Sequence, residues 1–211
     1  MDIKNIIFDF GGVLIDWNPE YLYRHVFSEK SEMDFFLKHI CSSEWNLQQD
    51  AGRPFGQATL ELQLKFPRYH NEIELFYLKW DQMLGGEITK NVKLIDELKT
   101  KYSLYGLTNW SAETFPIVFQ RYQFFKKLDG IVVSGEEKMI KPDPSIYCTL
   151  LDRYQLIARE CLFIDDNKEN ISAANRLGIH TIHLQQGVDL KKELQILKLL
   201  PKESRPTMTL V

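Results

Sequence analysis

Apolar residues gather into five short runs rich in β-branched and aromatic side chains: Ile3–Phe8, Ser103–Leu107, Gly130–Val133, Cys161–Ile164 and Ile179–Leu184. Runs this short and this apolar predict strands buried on both faces. Between the second and the fifth, the period changes from two to that of a helix. Ser111–Tyr122 opens on a serine that suits an N-cap and turns Phe115, Val118 and Phe119 to one side. Pro144–Tyr154 repeats Ile146, Tyr147, Leu150 and Leu151 at helical spacing, and Lys168–Leu177 does so with Ile171, Ala174 and Leu177 before Gly178 stops it. Strand–helix alternation of this kind predicts an α/β fold of three layers, α/β/α, around a parallel sheet.

The first strand stands apart from the second by about 95 residues, far more than an ordinary βα connection needs. That interval is patterned. Glu20–Phe27, Glu32–Cys41 and Glu72–Leu84 have helical spacing, with Ile73, Phe76, Tyr77 and Trp80 as the stripe of the last. The segment Thr59–Phe66 alternates like a strand and is assigned helix from its neighbours. Lys90–Lys101 predicts the helix that re-enters the sheet. The expected division is a core of residues 1–14 and 88–211, and a small all-helical cap of residues 15–87 inserted after the first strand. The end of the chain, PKESRPTMTLV, reads as an extended arm.

Composition removes classes without choosing one. The 211 residues are 44% hydrophobic and 26% charged, with a formal net charge of -3. These values suit a globular domain and supply no basic field for nucleic acid or a membrane surface. No apolar run approaches the ~20 residues that span a bilayer, and the N-terminus lacks the pattern of a secretory signal. Cys41, Cys148 and Cys161 are odd in number and scattered, which points to free thiols and a cytoplasmic protein. His180 and His183 share one expected strand but fall on opposite faces, so they cannot chelate one ion together.

Position is more informative. Ligands of open parallel sheets bind beyond the carboxyl ends of the strands. The residues there are Asp9 in IIFDFGGVL, Thr108 and Asn109 in LYGLTNW, Lys141 in EEKMIKPDP, and Asp165–Asp166 in LFIDDNKEN. Any one of them could be a helix cap; the set is harder to explain that way. Three carboxylates at one edge need a cation to stay ionised together. All-oxygen donors select a hard ion, of which Mg²⁺ fits best. Gly11 and Gly12 permit a sharp turn that aims backbone N–H groups at an anion. A hydroxyl, an amide and an ammonium would complete a phosphoryl-transfer site, in which a carboxylate can act as nucleophile.

In this order and spacing, the four motifs resemble the haloacid dehalogenase-like hydrolase superfamily, over essentially the whole chain. The resemblance implies a Rossmann-like core, a helical cap, and a Mg²⁺-dependent hydrolase of small phosphorylated metabolites, sugar phosphates among them, working through an aspartyl-phosphate. It makes Asp9 the nucleophile and a metal ligand, with the Gly11 carbonyl and Asp166 as further metal ligands and Asp165 either a ligand or a partner supporting them. Lys141 would hold nucleophile and phosphate, Thr108, Asn109, Gly11 and Gly12 would bind the phosphoryl group, and Asn170 would orient the acidic pair. The implied partner is a small molecule, to a monomer or homodimer. Specificity would come from Trp17, Asn18, Asp50, Arg53 and Trp110, while Phe76, Tyr77 and Trp80 form cap core.

One position departs from the family pattern. Most of its phosphatases carry a second aspartate, the general acid and base, where this chain has Gly11. Loss of such a group typically costs ~10²–10⁴-fold in rate. Three readings remain: a glycine-bearing branch of sugar-phosphate phosphatases, a 2-haloacid dehalogenase, or a catalytically weak phosphate-binding member. Dehalogenation needs no metal and uses serine and asparagine where this chain has Asp165–Asp166, so the phosphatase reading is preferred.

Overall fold

The computed structural model describes residues 2–202; the expected arm at the chain's end falls outside the described residues except for Pro201 and Lys202. Seven strands are present: β1 (Asn5–Phe8), β2 (Ile15–Trp17), β3 (Leu84–Glu87), β4 (Ser103–Thr108), β5 (Gly130–Val133), β6 (Cys161–Asp165) and β7 (His180–His183). Five form a parallel sheet in the order β5-β4-β1-β6-β7. Every run predicted as a strand belongs to this sheet. β1 is buried throughout, and its side chains alternate between two cores. Ile6 and Phe8 join Leu104, Leu162 and Ile164 on one face; Ile7 joins Leu107 and Phe163 on the other. Full burial of such side chains contributes about 1.5–3 kcal/mol each. β4 lies on one side of β1 and β6 on the other, so the chain reverses its winding direction beside β1. That reversal opens a crevice at the carboxyl ends of these three strands.

Between β1 and β4 the chain forms α1 (Glu20–Tyr23), α2 (Lys30–His39), α3 (Ser43–Asp50), α4 (Phe55–Lys65) and α5 (His70–Leu78), then α6 (Thr89–Val92) and α7 (Leu94–Lys99). Thr59–Phe66, ambiguous by pattern, lies almost wholly in α4, a helix that buries Ala58 and Leu62 on one face. The first five helices pack around aromatic rings. Tyr23 meets Phe36 at 4.8 Å between centroids, and Trp45 meets Phe76 edge-on at 5.2 Å. β2 and β3 pair antiparallel as the two-stranded stem of this segment, a ribbon the sequence pattern does not reveal.

The remaining helices are α8 (Phe115–Arg121), α9 (Ser134–Glu137), α10 (Pro144–Arg153), α11 (Lys168–Arg176) and α12 (Leu190–Ile196). α10 and α11 match their predicted ranges and cover the face carrying Ile7. Gly178 adopts φ +80 just past α11. Several helices differ from expectation: Glu20–Phe27 is α-helical only to Tyr23, and Glu72–Leu84 ends its α-helix at Leu78, followed by a 3₁₀ turn at Trp80–Met83 and β3 from Leu84. Ser111 does not begin α8: its Oγ accepts from the Glu113 N–H in a turn, and the helix starts at Phe115. Lys90–Lys101 divides into α6 and α7, where buried Asn91 donates from Nδ2 to the Val13 carbonyl at 2.7 Å.

Candidate active site

Asp9 follows β1, Thr108 ends β4 and Asp165 ends β6, so three strands deliver their terminal polar residues to one edge. Lys141 arrives from the loop before α10 and is 1% exposed. Its Nζ lies 3.0 Å from Asp9 Oδ1 and 2.7 Å from Asp165 Oδ2, and donates to the Leu107 carbonyl at 2.9 Å. Its three N–H donors therefore have partners. Asn109 holds this lysine by its backbone: the Asn109 Nδ2 donates to the Lys141 carbonyl, and Asn109 Oδ1 accepts from the Lys141 N–H. The Asn109 side chain thus positions Lys141 while also lining the cavity beside the site.

The two members of the acidic pair have different surroundings. Asp165 is fully buried, and both of its oxygens are engaged, by Lys141, by Asn170 Nδ2 at 3.1–3.2 Å and by the Asn167 N–H at 2.7 Å. Asp166 is exposed. One carboxylate oxygen from each of Asp9, Asp165 and Asp166 can be taken so that all lie within 4.8 Å of one another. Three oxygen donors at this spacing have the chemistry of a magnesium site. Burial pushes Asp9 up to about 8, with Asp165 and Asp166 adding to the shift and Lys141 opposing it. Asp166 is also raised, by the partial loss of water around its carboxylate at this edge and by Asp165. Burial disfavours the ammonium of Lys141, but Asp165 and Asp9 outweigh it and raise its pKa. A divalent cation would restore Asp9 to its ionised form.

The glycines have separate tasks. Gly12 has φ +71, and a Cβ there would collide with the Asp166 carboxylate. Its N–H donates to the Ile15 carbonyl at 3.0 Å, so it closes the turn and is not aimed at an anion as expected. Gly11 has open space where a Cβ would stand. Thr108 Oγ1 is buried with no hydrogen-bond partner, and a buried hydroxyl in that condition calls for a ligand.

Beside this edge lies a cavity of about 110 Å³, lined by Gly11, Asn109 and Ser111 from the sheet side. The rest of its wall includes Trp17, Asp50, Phe55, Tyr77, Trp80 and Trp110. Among the specificity candidates, Trp17, Asp50 and Trp110 reach it. Asn18 and Arg53 do not line it. Asn18 Oδ1 accepts from the Glu20 N–H at the start of α1, and Arg53 turns to Gln49 and Glu61. Phe76 and Trp80 belong to the core, as expected, and Trp80 also lines the cavity together with Tyr77. Tyr77 stacks on Phe55 at 3.6 Å, and Trp80 meets Trp110 edge-on at 5.6 Å. Asn46, Phe55, Ser111 and Thr114 also line it and were missed from the sequence. Asn46 lies on α3, whose start is marked by Ser42: its side chain caps the helix by accepting from the Trp45 N–H. That serine was the available signal.

A parallel sheet with an acidic cluster, a buried lysine and an orphan threonine at its carboxyl edge defines the class, and comparison with known proteins assigns the family. The sequence model of the haloacid dehalogenase-like hydrolases matches residues 6–184, and the chain belongs to that family. It is 31% identical over 196 residues to the sesquiterpene phosphatase astK of Aspergillus oryzae, covering 91% of this chain and 95% of that protein. It is 25% identical to a D-ribitol-5-phosphate phosphatase of Bacteroides thetaiotaomicron, covering 92% and 98%. A solved HAD family enzyme from B. thetaiotaomicron, in complex with magnesium and inorganic phosphate, superposes with a TM-score of 0.69 at 25% identity, over 90% of this chain and 98% of that one. The protein is a hydrolase with phosphatase relatives.

Proposed function

We propose that the protein is a magnesium-dependent phosphatase of small phosphomonoesters that works through an aspartyl-phosphate on Asp9. The observation that carries this reading is the junction of Asp9 with Lys141 and the acidic pair at one sheet edge. Magnesium, held by Asp9, Asp166 and the Gly11 carbonyl, would neutralise the phosphate and the nucleophile together. Asp165 is assigned to hold Lys141, since its oxygens are already occupied. Thr108 Oγ1 donates to a phosphoryl oxygen, and Lys141 adds positive charge where negative charge develops. Asp9 attacks phosphorus, the ester oxygen leaves with the alcohol, and water then releases phosphate from Asp9.

The segment over residues 15–87 serves as the cap in this reading, and residues 1–14 with 88–211 form the catalytic core. The aromatic wall of the cavity receives the carbon skeleton of the alcohol, and Trp17 Nε1, buried without a partner, is a donor for a polar group on it. Both flat apolar skeletons and the C–H faces of sugars stack on such rings. Purified protein is therefore expected to release inorganic phosphate from a panel of sugar and prenyl-alcohol phosphates in magnesium, and to lose that activity in chelator. Equal activity in chelator, or halide release from 2-haloacids without metal, overturns the reading.

Metal binding is also measurable without substrate. Asp9 takes up a proton in the folded protein at a pH where the unfolded chain has none, so without a cation folding stability falls as pH rises from about 4 to about 8. Magnesium binds the ionised form and competes with that proton. The rise in Tm on adding magnesium should accordingly grow between about pH 5 and pH 8. A magnesium-induced rise that is flat or declining over that range contradicts the assigned ligand set.

A further inference from the structure

The general acid expected at position 11 is missing, yet the cavity beside Gly11 contains a carboxyl group from elsewhere. Asp50 ends α3 and lines the cavity together with Gly11, Asn109 and Ser111. A tie through Ser134 holds it against the core. The Ser134 hydroxyl, at the start of α9, donates to the Asp50 backbone carbonyl, and the same hydroxyl accepts from the Trp110 N–H. The Asp50 side chain shares the cavity wall with Ser111, two residues beyond Asn109. Asn46, one turn earlier on α3, donates from Nδ2 to Asp50 Oδ2 at 3.1 Å. The carboxyl group thereby borders the loop that follows β4, and among the described residues no cation pairs with it. Arg53, three residues on, is turned away to Gln49 and Glu61.

We propose that Asp50 is the general acid and base of the reaction, delivered from the helical segment in place of the side chain that Gly11 lacks. The assignment rests on the phosphatase reading above. Gly11 leaves open the volume an acid at that position would occupy, and Asp50 borders the cavity into which that volume opens. In the first step an Asp9 oxygen bonds to phosphorus and the phosphorus–ester oxygen bond breaks. Protonated Asp50 gives its proton to the departing oxygen, which leaves as alcohol. In the second step Asp50, now a carboxylate, takes a proton from water as the water oxygen bonds to phosphorus. The bond from phosphorus to Asp9 then breaks, freeing phosphate, the Asp9 carboxylate and protonated Asp50. One water is consumed and both residues return to their starting states.

Burial supports this role by pushing the Asp50 carboxyl up to about 7, against the opposing effect of the Ser111 N–H. A group so poised can both donate and accept near neutrality. Tyr77 is the titratable group facing it from α5, and burial raises its phenol so that it stays neutral and cannot replace the acid.

The test compares Asp50→Asn with wild type on two probes in saturating magnesium: p-nitrophenyl phosphate, whose leaving group departs unprotonated, and 2-phenylethyl phosphate, whose alkoxide must be protonated. The variant should lose ~10²–10⁴-fold in first-turnover rate on 2-phenylethyl phosphate. On p-nitrophenyl phosphate it should keep its first turnover, as a burst of nitrophenolate, followed by slow steady release because water activation is also impaired. If Asp50→Asn does not fold, Asp50→Ser serves with the same expectation. Equal loss on both probes in the first turnover, an unchanged rate on both, or a rise confined to KM overturns the assignment and leaves Asp50 a binding or structural residue. Wild-type protein inert on both probes would overturn the phosphatase reading itself, a distinct outcome.

Discussion

Asp9→Asn is expected to lower turnover of any accepted phosphomonoester by ~10⁴-fold or more, on the scale seen when a covalent nucleophile is removed from a concerted site. An amide matches the carboxylate in shape, so the substitution removes nucleophilicity and one negative charge while leaving packing intact. The effect on folding should have the opposite sign. Asp9 is 8% exposed and faces Asp165 and Asp166, and burial with these like charges makes its ionised form costly. Lys141 retains its 2.7 Å contact with Asp165 and its bond to the Leu107 carbonyl after the change. In chelator the variant should therefore melt no lower than wild type at neutral pH, while its activity is lost. A site that stores charge repulsion for the benefit of chemistry behaves this way. Acid-quenched wild type incubated with ³²P-labelled substrate should retain protein-bound label, and Asp9→Asn should retain none. Residual turnover within tenfold of wild type would remove Asp9 from its role as nucleophile.

How far this site was visible in the sequence depends on the kind of signal each residue leaves. Asp9, Thr108 and Asp165 were found because each follows a strand buried on both faces, and such strands are unmistakable runs. Strand order could not be read the same way, but parallel pairing puts all those ends on one edge whatever the order. Lys141 lies in a loop and was reached through its motif; its burial between two carboxylates is a tertiary fact. The cavity's other wall was poorly legible. α3 is polar over much of its length, so its periodicity is weak, although it places Asn46 and Asp50 on the wall. Tyr77 and Trp80 recur at helical spacing, which says they face something and does not distinguish core from cavity. The β2–β3 ribbon escaped for a different reason: one strand has three residues and the other contains Gly85 and Gly86, poor strand formers that are tolerated where Asp16 approaches closely.

Lys141→Met should be the most damaging single change to folding at this site. The side chain of methionine is unbranched and of similar length, so the volume is nearly kept and the lost charge dominates. Removing one partner of a buried ion pair typically costs ~3–5 kcal/mol, because the partner charge is left behind uncompensated. Here Asp165, at 2.7 Å, is left as the buried charge, Asp9, at 3.0 Å, loses the cation that favours its ionised form, and the Leu107 carbonyl loses its donor. For a chain of this size that corresponds to a fall in Tm of roughly 6–20 °C at neutral pH. The pH dependence identifies the cause. The folded-state pKa of Lys141 is raised, so its stabilising contribution is fully present at neutral pH and is lost only as pH rises through that raised value. Without the ammonium, Asp9 is pushed further up and accepts a proton more readily. The variant should therefore recover relative to wild type as pH falls from the further-raised Asp9 value to about 8, and gain nothing more from Asp9 below that. Thermal unfolding followed by circular dichroism at neutral and alkaline pH measures both effects. A Tm deficit independent of pH would indicate a packing defect, and an unchanged Tm would show that the carboxylates do not depend on Lys141.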